Sequence, residues 1–189
     1  VTLLRQPRNT GKGEAVRGGL LEALGQGFKY VGFFDADLST PLEVVSEFCA
    51  IMDRDPQVAM VVGARVRLLG REIERRAIRH YSGRVFATAA SLLLNLPVYD
   101  TQCGAKLFRA TPELKQILHQ PFLSRWIFDV EIIARFIRSR RARGAVPVER
   151  SIHEVPLRWW KDVRGSKLRF VDFVTAAWDL LRIYWRYLR

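Results

Sequence analysis

Two carboxylates two residues apart, Asp35 and Asp37, follow directly on the apolar run Tyr30-Val31-Gly32-Phe33-Phe34. A short, wholly apolar run reads as a buried parallel strand, and the carboxyl ends of such strands carry the ligand sites of α/β sheets. On extended chain, residues i and i+2 point to one side. The spacing therefore predicts that both carboxylates enter one small volume. Two close negative charges call for a cation or a proton. Hard oxygen donors suit Mg2+ or Mn2+, ions that complete their shells with substrate phosphates. The chemistry expected is metal-assisted handling of a diphosphate. The plain alternative is a solvent-facing acidic turn before the helix opened by Pro41.

Other segments could serve the same rim. Asn9-Thr10-Gly11-Lys12-Gly13 precedes a helix and departs from a P-loop, since Gln6 stands at the earlier glycine and Gly13 at the Ser/Thr. A glycine-rich turn with a lysine at a helix start still suits an anion. Gly63-Ala64-Arg65 puts an arginine at the end of the next strand. In Asp100–Phe108, polar residues interrupt a strand and offer Asp100 and Lys106. Arg125-Trp126-Ile127-Phe128-Asp129-Val130-Glu131 opens a helix with two carboxylates, which also suit the helix dipole. Glu154-Val155-Pro156 and Arg164-Gly165-Ser166-Lys167 form a basic stretch before the last helix. Arg71, Arg75 and Arg79 recur at steps of four, a helical row facing either water or phosphates.

The elements that must position these groups alternate. Val1–Leu4 is expected as a strand, Gly13–Leu24 as a helix, and Tyr30–Phe34 as the central strand. Leu42–Met52 reads as a helix capped by Ser39 or Thr40 with Pro41 at its first position, and Val58–Val62 as a strand. A long helix over Glu72–Leu94, a strand over Thr101–Phe108, and a helix over Asp129–Arg141 ended by Gly144 follow. Ala145–Val148 and Ile152–Val155 are short strand candidates, and Arg169–Arg189 is the last helix. This order predicts an α/β fold with a mostly parallel sheet. In the last helix, Phe170, Phe173, Val174, Ala177, Leu181, Tyr184 and Leu188 form one apolar side. Arginines lie opposite, with Trp178 and Trp185 flanking. That pattern suits a membrane interface, the domain's own core or a partner.

The 189 residues suffice for one domain with a substantial core. Thirty-one Lys+Arg against 19 Asp+Glu give +12, which favours a polyanionic partner: nucleic acid, an anionic membrane or phosphorylated substrates. Cys49 and Cys103 indicate neither a disulfide framework nor a zinc site. No stretch is apolar enough to span a bilayer.

Taken in order, these segments resemble glycosyltransferase family 2: Asn-x-Gly-Lys-Gly, Asp-Ala-Asp-Leu-Ser-Thr-Pro, Gly-x-Arg, Asp-Thr-Gln-Cys-Gly-x-Lys-Leu-Phe, Arg-Trp-x-Phe-Asp-Val-Glu, Glu-Val-Pro and Ser-Lys. The pattern is most similar to the dolichyl-phosphate β-glucosyltransferase and polyprenyl-phosphate glycosyltransferase branch. The resemblance implies a GT-A fold over residues 1–167, entered after its first strand, and a membrane-interfacial helix over 168–189. It implies Mg2+ or Mn2+ held by Asp35 and Asp37. Lys12, Asp35, Arg65, Lys106, Arg164 and Lys167 would line the donor and its phosphates, and Asp37, Asp100 and Glu131 would act at the reacting groups. The implied partners are a nucleotide sugar (UDP-glucose favoured, GDP-mannose the other choice), a polyprenyl phosphate and the cytoplasmic face of a membrane, not nucleic acid. The readings weighed against it are a non-catalytic polyanion binder and an inactive homologue. Ser39 and Ala105 are departures: some relatives, notably mannose synthases, have a Gln or an acidic metal ligand at the first position, and close relatives usually carry Phe at the second.

Overall fold

The structure is a computed structural model that describes residues 2–74, 77–161 and 170–189. Four strands make the main sheet: β1 (Tyr30–Phe34), β2 (Met60–Ala64), β4 (Ala105–Arg109) and β5 (Ile152–Pro156), in the order β1-β4-β2-β5. β4 pairs antiparallel with both β1 and β2, and β2 pairs parallel with β5. Three strands therefore share one direction, and β4 is inserted against them. The amino end of β4 consequently meets the carboxyl ends of the other three at one rim. Among the described residues, six helices flank this sheet, in the α/β arrangement expected of a GT-A domain: α1 (Lys12–Gly25), α2 (Val44–Arg54), α3 (Ala77–Leu94), α4 (Pro112–His119), α5 (Phe128–Arg143) and α6 (Phe170–Ile183).

Strand alternation divides the core between the two faces of the sheet. Met60, Val62 and Phe108 face one cluster, which includes Leu20 of α1 and Phe128, Ile132 and Phe136 of α5. Val61 and Leu107 face the other, with Val44, Phe48 and Met52 of α2 recurring at helical spacing. Each fully buried Leu, Phe or Met here contributes about 1.5–3 kcal/mol. Lys106 lies two residues from Phe108, hence on the face that α5 covers, and its side chain is wholly buried. An ammonium in that position demands a counter-charge.

Several elements differ from expectation, for reasons of long-range pairing. Residues 72–74 are not the start of a helix. They form β3 (Glu72–Glu74), paired parallel with β6 (Trp159–Lys161), and Ile73 packs with Trp160. Arg71 therefore precedes a strand and shares no helical row with Arg79; Arg75 is outside the described residues. Residues 2–5 form no strand, and Leu3 and Leu4 are exposed. Tyr30–Phe34 is an edge rather than central among the described strands. β4 begins at Ala105, because residues 101–102 turn. α2 starts at Val44, behind turns that bond Val44 N to the Pro41 carbonyl and Val45 N to that of Leu42. Ala145–Val148 is not a strand; a 3-10 turn covers Val148–Arg150. α4 was unforeseen, although Thr111 caps it by accepting from Leu114 N and Pro112 opens it.

Candidate active site

The rim collects charge from five segments. Glycines let the first segment close in. Gly11, at φ 95, stands against Arg125, and a Cβ on Gly13 would press on Phe128 at 3.1 Å. The turn before α1 is thus clamped to the loop that leads into α5, and Lys12 is carried to the end of β1. Its ammonium lies 2.5 Å from Asp35 Oδ1, and both groups are partly exposed. Asp35 N donates to the Gly104 carbonyl at 2.8 Å. A Cβ on Gly104 would overlap the Asp35 carboxylate, so glycine is what lets the approach to β4 run beside it.

Asp35 and Asp37 are not on extended chain. Residues 36–37 turn, Leu38 N bonds the Asp35 carbonyl at 3.1 Å, and Asp37 Oδ1 accepts from Ser39 N at 3.0 Å. The i, i+2 argument does not apply to this loop. The two carboxylates share a tight turn, with Asp35 facing Lys12 and Asp37 exposed. Leu38 adopts φ 54, a left-handed conformation that costs a non-glycine residue roughly 1–3 kcal/mol and concentrates at functional sites. Behind it Ser39 and Thr40 are buried, and Thr40 Oγ1 has no hydrogen-bond partner among the described residues.

A second pair lies deeper. Lys106 Nζ donates to the Cys103 carbonyl at 2.6 Å and lies 2.5 Å from Asp129 Oδ1 in the first turn of α5. Burial pushes the Asp129 carboxyl above its ordinary range, against the pull of Lys106 and Lys12, and Asp35 adds to the push. The two pairs therefore sense one another. Burial also raises the Cys103 thiol to about 11, which keeps it protonated.

The third group is a fork. Arg65 Nε and Nη2 donate to Asp100 Oδ2 and Oδ1 at 2.6 and 2.8 Å, and Arg65 N adds a third bond to Oδ2. Burial opposes the Arg65 charge, but Asp100 outweighs it and the guanidinium is held charged. Its plane lies 5.3 Å from the Trp160 ring. Glu154 of β5 accepts from Tyr99 N and Asp100 N at 2.8 and 2.9 Å, which fixes the loop that carries Asp100. Beside Asp100, Thr101 Oγ1 and Gln102 Nε2 are buried without a hydrogen-bond partner among the described residues. Unsatisfied buried groups of this kind call for an explanation, and a ligand is one.

The structure thus brings Lys12, Asp35, Asp37, Arg65, Asp100 and Lys106 to one rim. Glu131 is not with them. It is wholly buried behind α5, where Oε1 accepts from Arg135 and Tyr187 and Oε2 from Leu123 N and Ser124 N. Two residues along a helix is about 200° of rotation, so Asp129 and Glu131 point to opposite sides. The structure does not bring Glu131 to the rim; Asp129 is the carboxylate of that motif that meets it. Arg164 and Lys167 lie outside the described residues. Asp129 and Glu154 sat in the motifs without being singled out. An acid inside the strand candidate Ile152–Val155 was the signal for Glu154.

No group of three His, Cys, Asp or Glu able to hold a metal ion occurs among the described residues. The donor set still fits a hard divalent cation that takes most of its shell from water and substrate phosphate. Asp35 and Asp37 offer two carboxylates, and the Lys12 ammonium already rests on one of them as a cation.

Comparison with known proteins sets this geometry in context. The family model described as Glycosyl transferase family 2 matches residues 1–114. A dolichyl-phosphate beta-glucosyltransferase of Trichomonas vaginalis is 29% identical over 191 residues, covering 97% of this chain and 53% of its own length. Those of Saccharomyces cerevisiae and Mus musculus are each 32% identical, over 98% and 100% of this chain and 55% and 56% of their own. The chain spans about half the length of the curated relatives it matches.

Proposed function

The chain belongs to glycosyl transferase family 2, and from that premise we propose that it serves transfer of glucose from a nucleotide sugar, UDP-glucose, to a polyprenyl or dolichyl phosphate. The observation that carries the reading is the convergence of three cation–carboxylate groups on the rim where β1, β2 and β5 end. Such a rim suits an anionic donor held close to an anionic acceptor. The printed names of the relatives favour glucose and dolichyl phosphate over mannose and a soluble acceptor.

The residues divide the work. Lys12 and Lys106 place ammonium charge along the donor diphosphate, each ready to exchange its carboxylate for a phosphate oxygen. Asp35, paired with Lys12, faces the nucleotide. Asp35 and Asp37 would hold Mg2+ or Mn2+, which when bound would supply charge neutralisation at the leaving diphosphate. Asp100, locked by Arg65 and oriented through Glu154, positions sugar hydroxyls or the acceptor. Arg164 and Lys167 belong to the same proposal as phosphate contacts. A phosphomonoester has its second pKa near ~6, so the acceptor arrives as an anion and needs no protein base. One of its oxygens attacks the anomeric carbon, the bond from that carbon to the diphosphate oxygen breaks, and the nucleoside diphosphate leaves with inversion. The lipid acceptor puts the reaction at a membrane surface, and the two unpaired cysteines accord with its cytoplasmic face. The polyprenyl chain stays in the bilayer while its phosphate reaches the rim.

The test is a donor screen with a short prenyl phosphate and Mg2+. The reading expects transfer from UDP-glucose well above that from GDP-mannose. Hydrolysis without transfer, or equal use of a soluble acceptor, would overturn it.

A further inference from the structure

A cavity of about 500 Å3 opens on the side of α5 away from the rim, between α4, α5 and the π-helical turn Tyr184–Leu188. Arg135, Arg138, Ser139, Arg143, Arg186 and Tyr187 are on its wall, and no carboxylate is among its lining residues. The charges differ in what they already hold. Arg135 is spent on Glu131, and Arg143 pairs with Glu113. Arg138 donates only to the Arg186 carbonyl, at 3.0 Å, and Arg186 has no hydrogen-bond or ion-pair partner for its own guanidinium among the described residues. The guanidinium groups of Arg135 and Arg138 stand 5.3 and 5.9 Å from the Tyr187 ring. Two guanidinium groups with no ion-pair partner among the described residues, at the mouth of a hollow lined by no carboxylate, suit a phosphate ester, which guanidinium binds through paired hydrogen bonds.

The neighbouring helix tells where that ester comes from. α6 buries Ala176, Asp179, Leu180 and Ile183. Val174, Trp178, Leu181 and Trp185 recur at helical steps on the opposite side and are each at least half exposed. The apolar side read from the sequence is therefore mostly turned outward. Arg182, Arg186 and Arg189 lie on its flank, between the exposed ridge and the cavity, and Arg189 stacks 4.3 Å over Trp185. Aromatic groups at the level of lipid glycerol, with arginines reaching sideways to headgroups, form the pattern of an interfacial helix.

We propose that the cavity between α4, α5 and the chain's last turn is a binding site for the phosphate of an anionic phospholipid, engaged when the Trp178–Trp185 ridge enters the bilayer. It holds a lipid distinct from the acceptor, on the far side of α5 from the rim. It rests on the proposed function only in taking the protein to work at a membrane, and its test requires no turnover. The +12 charge of the chain supports the same partner at long range.

The test is flotation of the purified chain with phosphatidylcholine vesicles, with and without phosphatidylglycerol, for the native protein, Arg138→Gln with Arg186→Gln, and Trp178→Ala. Each arginine near an anionic surface is worth about fivefold in partitioning. The double arginine variant should thus lose about 25-fold on anionic vesicles and little on neutral ones, and the loss should vanish at high salt. Trp178→Ala should weaken binding to both. All these side chains are exposed, and matching melting curves would confirm intact folding. Equal affinity of the arginine variant for anionic vesicles would overturn the proposal. So would tight binding of free inorganic phosphate that depends on Arg138 and Arg186 without any vesicle effect. A Trp178-dependent dimer that ignores vesicles would assign the ridge to a second copy instead. Vesicle binding without glucosyl transfer would sink the proposed function and leave this site standing.

Discussion

Two carboxylates in the first turn of α5, Asp129 and Glu131, meet opposite fates. Glu131 accepts from two backbone N–H groups, from Arg135 and from the Tyr187 hydroxyl. Every oxygen is supplied, and the group ties the loop before α5 to the chain's last turn. Asp129 rests on Lys106, and burial still holds its carboxyl above the ordinary range. A saturated buried charge is architecture. A poorly satisfied one, at a rim with other ion pairs and orphaned polar groups, is a place where an incoming ligand improves matters. The contrast is the ground for proposing function on the sheet side of α5 and stability behind it.

The comparison breaks most visibly at Glu131. Glu131→Ala leaves Arg135 buried without its partner and should cost about 3–5 kcal/mol in urea unfolding. The folded protein should keep the proposed glucosyl transfer at the native rate per molecule; a fall in that rate without a stability loss would return Glu131 to the chemistry. On the other side, Lys106→Met together with Asp129→Asn removes both charges at once. Replacing a buried ion pair in this way is often neutral or stabilising by about 1–4 kcal/mol, so stability should hold or rise while transfer is lost. Retained transfer would show that the pair is structural too.

A pH series sharpens the same contrast. The folded pKa of Asp129 is raised, so between the ordinary carboxylate value of about 3.9 and that raised value the native state binds a proton that the unfolded chain has released. Stability contributed by Asp129 is present below that window and lost as pH rises through it. Melting curves of Asp129→Asn should show a shallower fall with rising pH than those of the native chain; parallel curves would contradict the raised value.

These differences show what the sequence made legible. The run Tyr30–Phe34 could be read as a strand because its signal is local, whereas the turn at residues 36–37 that takes Asp35 and Asp37 off extended chain was not the conformation expected. The order of motifs then supplied the family. Antiparallel insertion of β4 was hidden, because pairing across the sheet depends on partners far along the chain. For the same reason Glu72–Glu74 read as helix: its partner, Trp159–Lys161, lies beyond every local window. The opposite fates of Asp129 and Glu131 were in principle available from helical rotation. Which side faced the rim required knowing where α5 docks. The last helix was read as amphipathic with its apolar side open to membrane, core or partner; that Asp179 is buried while Trp178 and Leu181 stay exposed depended on where the helix docks.

The smallest expected effect concerns the strained turn. Leu38→Gly relieves a left-handed backbone strain of roughly 1–3 kcal/mol at a cost in unfolded-state entropy of roughly 0.5–1 kcal/mol, so the net change in unfolding free energy should lie between zero and a stabilisation of about 2.5 kcal/mol. A loss of several kcal/mol would mean that the Leu38 side chain, not its backbone, holds the loop.

The account turns on whether Asp35 and Asp37 serve a cation at the donor diphosphate. Calorimetric titration of UDP-glucose, with and without Mg2+, into the native chain and into Asp37→Asn decides it. The prediction is that Mg2+ tightens binding to the native chain at least about tenfold, or ~1.4 kcal/mol, and does so far less in the variant. Equal Mg2+ dependence in both, or none in either, would contradict it.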